Sequence, residues 1–96
     1  MIIRITYSHA YPDKVADIRE LYRSQALTDF FNSQKGHRFH YLLESKEPGE
    51  IIFLTAWDSE KEMEEAYASE AHRQVGAKFK PFLRAPSTKQ IYEVHE

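Results

Sequence analysis

The sequence predicts an α+β domain of order β-α-β-β-α-β, a four-stranded antiparallel sheet with its helices on one face. Three observations carry this. Residues 2–9, 37–45, 51–57 and 88–95 alternate at period two. Two stretches with apolar residues at three- and four-residue spacing lie between them. A Pro-Gly dipeptide in Lys46-Glu-Pro-Gly-Glu50 joins the middle two strands as a hairpin.

Each element has its own local reason. Ile3, Ile5 and Tyr7 fall on one face of the first strand, and Ile2, Arg4, Thr6 and Ser8 on the other. Pro12-Asp13 opens the first helix, because proline suits the first helical position and an early acid complements the helix dipole. Val15, Ile18, Leu21, Tyr22 and Ala26 form its stripe, which runs to about Asn32, and Gly36 is suited to the left-handed turn that ends it. Phe39, Tyr41 and Leu43 alternate with Arg38, His40, Leu42 and Glu44. The third strand, 51–57, is rich in Ile, Phe, Thr and Trp. Ser59 and Glu62 form an S-x-x-E capping box before Met63, Ala66 and Tyr67. Ser69 is placed to cap a further short helix carrying Ala71, Val75, Phe79 and Leu83, and Pro86 bars its continuation. The element order is the ferredoxin-like split βαβ arrangement.

Composition narrows the class. The chain has 96 residues and reads as a single domain, 1–96, whose core must be thin. Yet 14% of its residues are aromatic and 42% hydrophobic, more apolar surface than a small monomer readily hides. It has no cysteine, which excludes disulfides and thiolate metal sites and leans towards a reducing, cytoplasmic compartment. No signal-peptide pattern is seen at the start, and no apolar run approaches the ~20 residues of a membrane span. A net charge of −2 without a basic stripe argues against nucleic acid and anionic membranes as partners.

If Phe39, Tyr41 and Leu43 face the helices, the bare sheet face carries Arg4, Thr6, Arg38, His40, Phe53, Thr55 and Trp57. A bare face holding Phe and Trp calls for a cover. A second copy of the sheet would supply one and enclose a pocket.

The run Ile52–His72, an apolar strand ending in Trp57, then Asp58-Ser59, an acidic Ala-containing helix and Ser69-Glu-Ala-His72, resembles the antibiotic biosynthesis monooxygenase (ABM) domains of the dimeric α/β-barrel superfamily. Pro12-Asp-Lys-Val15 and Gly36 also fit. The resemblance implies a homodimer whose sheets pack into a barrel. It also implies activities that range over cofactor-independent oxygenation of quinols and aromatic polyketides, haem degradation and isomerisation. The haem-degrading branch would require an Asn at position 6 or 7, a Trp at 66 and an axial His at 76. Thr6, Tyr7, Ala66 and Gly76 stand there instead, so that chemistry is not expected.

Within this frame His40 is the first candidate acid/base, with Arg38 beside it to stabilise an oxyanion. His72, near the pocket mouth in this family's layout, is the second. Trp57, Thr55, Phe53 and Thr6 are the candidate substrate contacts, the indole stacking on a planar ligand. Each has a structural alternative: Trp57 as a barrel filler, His40 and Arg38 as interface contacts, His72 as a helix cap. His9, His37 and His95 read as surface residues. The tyrosines read as core or interface, and Glu60–Glu65 as a solvated helix face. No metal-ligand spacing is present, and no cofactor is expected. The leading expectation is a homodimer that binds a small planar molecule and oxygenates quinol- or polyketide-type phenols. The alternatives are a non-catalytic, stress-associated binding dimer and an isomerase.

Overall fold

The computed structural model describes residues 1–96. Its central strand is β1 (Ile2–His9), which pairs antiparallel with β3 (Glu50–Trp57) on one side and β4 (Thr88–Glu93) on the other. β2 (His37–Glu44) pairs with the outer edge of β3, giving the order β2-β3-β1-β4. This is the expected four-stranded antiparallel sheet with ferredoxin-like connectivity. Tight hairpin closure depends on Gly49, whose φ of +87° is open to glycine and whose missing Cβ lets the Ala10 carbonyl approach.

The helical stretch expected over 12–32 is interrupted. A 3₁₀ turn (Pro12–Lys14) leads into α1 (Val15–Tyr22), and α2 (Gln25–Ser33) starts anew after Ser24, whose backbone is extended (φ −71°, ψ 159°). The break lets Ile18 of α1 and Leu27, Phe30 and Phe31 of α2 all reach one core with Ala10, Ile51 and Phe79. A single straight helix would carry one stripe and bury fewer of them.

The two serine caps form as expected. Ser59 Oγ accepts from the Glu62 amide at 3.2 Å and opens α3 (Glu60–Tyr67). Ser69 Oγ accepts from the His72 amide at 3.1 Å and opens α4 (Glu70–Phe79). The Glu62 carboxylate returns to the Ser59 hydroxyl, at 3.0 Å, rather than to its amide. α3 seals a second core in which Trp57, Met63 and Ala66 are almost fully buried. Removing a side chain the size of Met63 from water contributes about 1.5–3 kcal/mol.

The sheet faces are the reverse of the expected ones. Cross-strand pairing places Arg4 beside Thr55 and Thr6 beside Phe53, and His40 is the partner of Thr55 from β2. This is the face the helices cover. The open face carries Ile3, Ile5, Tyr7, Phe39, Tyr41, Leu43, Leu54 and Tyr92. Tyr41, Tyr92, Leu43 and Tyr7 are 56%, 47%, 43% and 37% exposed there. The expectation that Arg4, Thr6, His40, Phe53, Thr55 and Trp57 line a pocket on the bare face is therefore corrected. These side chains point under the helices, where a cavity tolerates polar groups, and the more uniformly apolar set faces outward.

Candidate functional site

The helix-covered face is not filled. Between it and α1, α2 and α4 lies a cavity of about 760 Å³, within the range of small-molecule sites. β1 and β3 supply its floor through Arg4, Thr6, Ser8, Phe53 and Thr55. The helices supply aromatic and aliphatic walls, and the segment 83–87 closes one end. There Ser8 Oγ and Ser87 Oγ lie 2.6 Å apart, tying β1 to the segment that leads into β4.

One wall holds a polar relay. The buried Trp57 indole N–H donates to Thr55 Oγ1 at 2.9 Å, and Thr55 Oγ1 lies 2.9 Å from the Tyr67 hydroxyl. Indole nitrogen only donates. Three donor protons (indole, threonine, tyrosine) thus serve two hydrogen bonds, and one hydroxyl proton is left for a further acceptor.

The Arg4 guanidinium lies 3.5 Å from the Tyr67 ring centroid, a cation–π contact. The other side of this cluster is His72, whose ring meets the Tyr67 ring edge-on at 4.5 Å. Burial, reinforced by the Arg4 charge, holds the His72 imidazole below its ordinary value, so it is neutral at pH 7. Burial raises the Tyr67 phenol despite the opposing Thr55 bond and Arg4 charge, so it stays protonated. A neutral imidazole and an undissociated phenol thus lie side by side in the lining of one cavity, an acceptor and a donor.

Thr6, Phe53, Thr55 and His72 of the expected residues line this cavity together. The other three do not. Trp57 is fully buried behind the wall, against Met63 and Ala66, and reaches the site through its bond to Thr55 and its edge-on contact with the Tyr67 ring. His40 lies one layer back, stacked on Phe31 at 3.9 Å, edge-on to Tyr22, with Nδ1 3.1 Å from His37 Nε2. Arg38 is outside altogether. A register irregularity between His37 and Phe39 turns it to the surface, where Nε donates to Asp58 at 2.6 Å. Arg38 and His40 therefore do not share a pocket.

Three cavity groups were not singled out from the residues as a site: Arg4 as the deep cation, Tyr67 as the relay's end and Tyr22 on α1. The available signal was the polar series Arg4, Thr6, Ser8 on alternate positions of a central strand, a costly pattern for a solid core.

Comparison with known proteins bears on this fold. The family model described as antibiotic biosynthesis monooxygenase matches residues 1–78. Among solved structures, Rv0793 from Mycobacterium tuberculosis superposes with a TM-score of 0.78 at 20% identity, covering 99% of this chain and 95% of that one. The cofactor-independent oxygenase SnoaB from Streptomyces nogalater gives 0.80 at 13% identity, covering 99% and 93%. A conserved protein from Methanosarcina mazei gives 0.79 at 18% identity, covering 96% and 91%. Among curated proteins the sequence finds no match. The structural likenesses speak for the fold; the family-model match over most of its length establishes that this chain belongs to the antibiotic biosynthesis monooxygenase family.

Proposed function

We propose that this protein is a cofactor-independent monooxygenase of quinol- or polyketide-type phenols, acting in the helix-covered cavity. The observation that carries this is the His72–Tyr67–Thr55 cluster: a neutral imidazole beside an unspent hydroxyl proton in a mostly apolar space. His72 takes the hydroxyl proton of the substrate. The free proton of the Thr55–Tyr67 pair meets the resulting oxyanion. The electron-rich ring carbon then reacts with O2 to give a peroxide. Collapse of the peroxide breaks the O–O bond, releases water and leaves a quinone, so one phenol and one O2 yield one quinone and one water. The protein's part is deprotonation, orientation and exclusion of water. SnoaB, a structural neighbour described as a cofactor-independent oxygenase, supports the same reaction class.

The functional unit in this reading is a homodimer. The support is the open sheet face, where Tyr7, Tyr41, Leu43 and Tyr92 stand exposed together. A second copy laid on that face would cover them.

Oxygen uptake by the purified protein over a quinol and phenol panel tests the reading. Turnover that is lost in His72→Ala and kept in His40→Ala supports it. Tight binding of planar ligands without any uptake would favour a binding module instead, and proton exchange on the substrate without uptake an isomerase.

A further inference from the structure

The charge around the cavity departs from that of the chain. The chain carries −2 overall. The cavity is lined by three permanent cations, Arg4 deep in the floor and Lys80 and Arg84 towards the rim, with no aspartate or glutamate among its lining residues. The ion pairs of the molecule lie elsewhere and are exposed: Arg19 with Glu44, Arg38 with Asp58, and Arg73 with Glu70. None involves these three cations.

Two buried donors on residues that line the cavity are also unpartnered. Arg4 Nε and the Tyr22 hydroxyl are shielded from solvent and make no hydrogen bond. Leaving a buried donor unmet is costly, and more so for a charged one. Arg4 has only the face of the Tyr67 ring. The fold thus lines a 760 Å³ space with a guanidinium and a phenol for which the protein supplies no acceptor.

We propose that the cavity binds an organic anion: a planar, largely apolar molecule carrying a carboxylate or an ionised phenol or enol, whose negative oxygen sits against Arg4 and Tyr22. This oxygen is additional to the hydroxyl that His72 deprotonates, so the inference deepens the oxygenase reading and names its substrate class. Arg4 supplies charge-assisted hydrogen bonds, Tyr22 a neutral one. Lys80 and Arg84 raise the local concentration of anions at the mouth, an effect that weakens with salt. The apolar walls exclude water and strengthen the pairing inside.

Calorimetric titration with naphthoate, its neutral counterpart naphthamide, and ionised hydroxynaphthoquinone tests this. Expected is naphthoate binding at least about ten-fold tighter than naphthamide, ~1.4 kcal/mol. The ratio should fall to about one in Arg4→Met while naphthamide affinity is unchanged. Equal affinities in the wild type, or a preference that survives Arg4→Met, would overturn the proposal. The affinity of hydroxynaphthoquinone relative to naphthoate tells an enolate site from a carboxylate site. Should Arg4→Met not fold, Arg4→Lys is expected to keep the preference and Tyr22→Phe to reduce it several-fold; a preference unchanged in Tyr22→Phe contradicts the site. The titration needs no turnover. An anion preference without oxygen uptake retains this site and removes the oxygenase reading, and uptake without the preference does the reverse.

Discussion

Gly76 offers a prediction that separates stability from function. It is the seventh residue of α4 and lines the cavity. Positive φ occurs only at Gly36 and Gly49, so the backbone at Gly76 does not demand glycine. Neither does packing, because a Cβ built there meets no heavy atom within 4 Å. Gly36 is the opposite case: its φ is +83° and a Cβ would lie 2.6 Å from the Glu62 carboxylate. In a helix interior glycine costs about 1 kcal/mol relative to alanine. Gly76→Ala should therefore stabilise the free protein by about 0.5–1 kcal/mol, raising Tm by roughly 2–8 °C for a domain of this size. Gly76→Leu should keep the fold, since its side chain enters empty space, but weaken planar-ligand binding by at least about ten-fold, ~1.4 kcal/mol. Calorimetric unfolding and ligand titration of the two variants make the measurement. A lower Tm for Gly76→Ala would show instead that the glycine has a structural role. Unchanged ligand affinity in Gly76→Leu would show that the ligand does not occupy this end of the cavity.

Further outcomes follow from the same structure. Trp57→Phe deletes the indole donor to Thr55 and leaves a small void, so it should cost about 2–3 kcal/mol in urea unfolding and lower turnover by loosening the relay. Burial lowers the folded-state pKa of His72, His40 and His37 from the ordinary 6.5. The folded state then binds fewer protons than the unfolded one, and stability must fall as pH drops below about 6.5 and be flat above it. Tm measured across pH 5–8 checks this, and a Tm that rises on acidification would contradict it. Turnover needs neutral His72, so its rate should climb with pH through a value below 6.5 and plateau at neutrality. Tyr41→Lys, at the most exposed large apolar side chain of the open face, should convert a dimer to a monomer by light scattering while leaving the cavity intact.

Much of the fold was legible in the residues. Strand periodicity, the Pro-Gly hairpin and the serine caps are local signals, and the structure realises each of them. The break after Tyr22 was not, because Ser24 carries no capping box and its hydroxyl makes no bond to the new helix. The sheet faces were legible as two sets but not as inside and outside. Alternation fixes which residues share a face, and a one-residue slip exchanges the two. The usual guide, that the more apolar set faces the helices, fails here. Arg4, Thr6 and Ser8 line a cavity under the helices, and Ile3, Ile5 and Tyr7 lie on the open side. That inversion moved Trp57 from pocket wall to buried support and set His40 behind Phe31. It also makes Tyr67, which the sequence reads as core or interface, the link between Thr55, Arg4 and His72. A register irregularity in β2 removed Arg38 from the site, and no sequence pattern marks it.

The central claim is that chemistry takes place under the helices rather than on the open sheet face. Titrating naphthoate into isotope-labelled protein and following backbone amide shifts tests it directly. Shifts are expected to concentrate at Thr6, Thr55, Tyr67, His72 and Gly76. Shifts concentrated instead at Tyr41, Leu43, Leu54 and Tyr92 would place the ligand on the open face and rule out the cavity as the site.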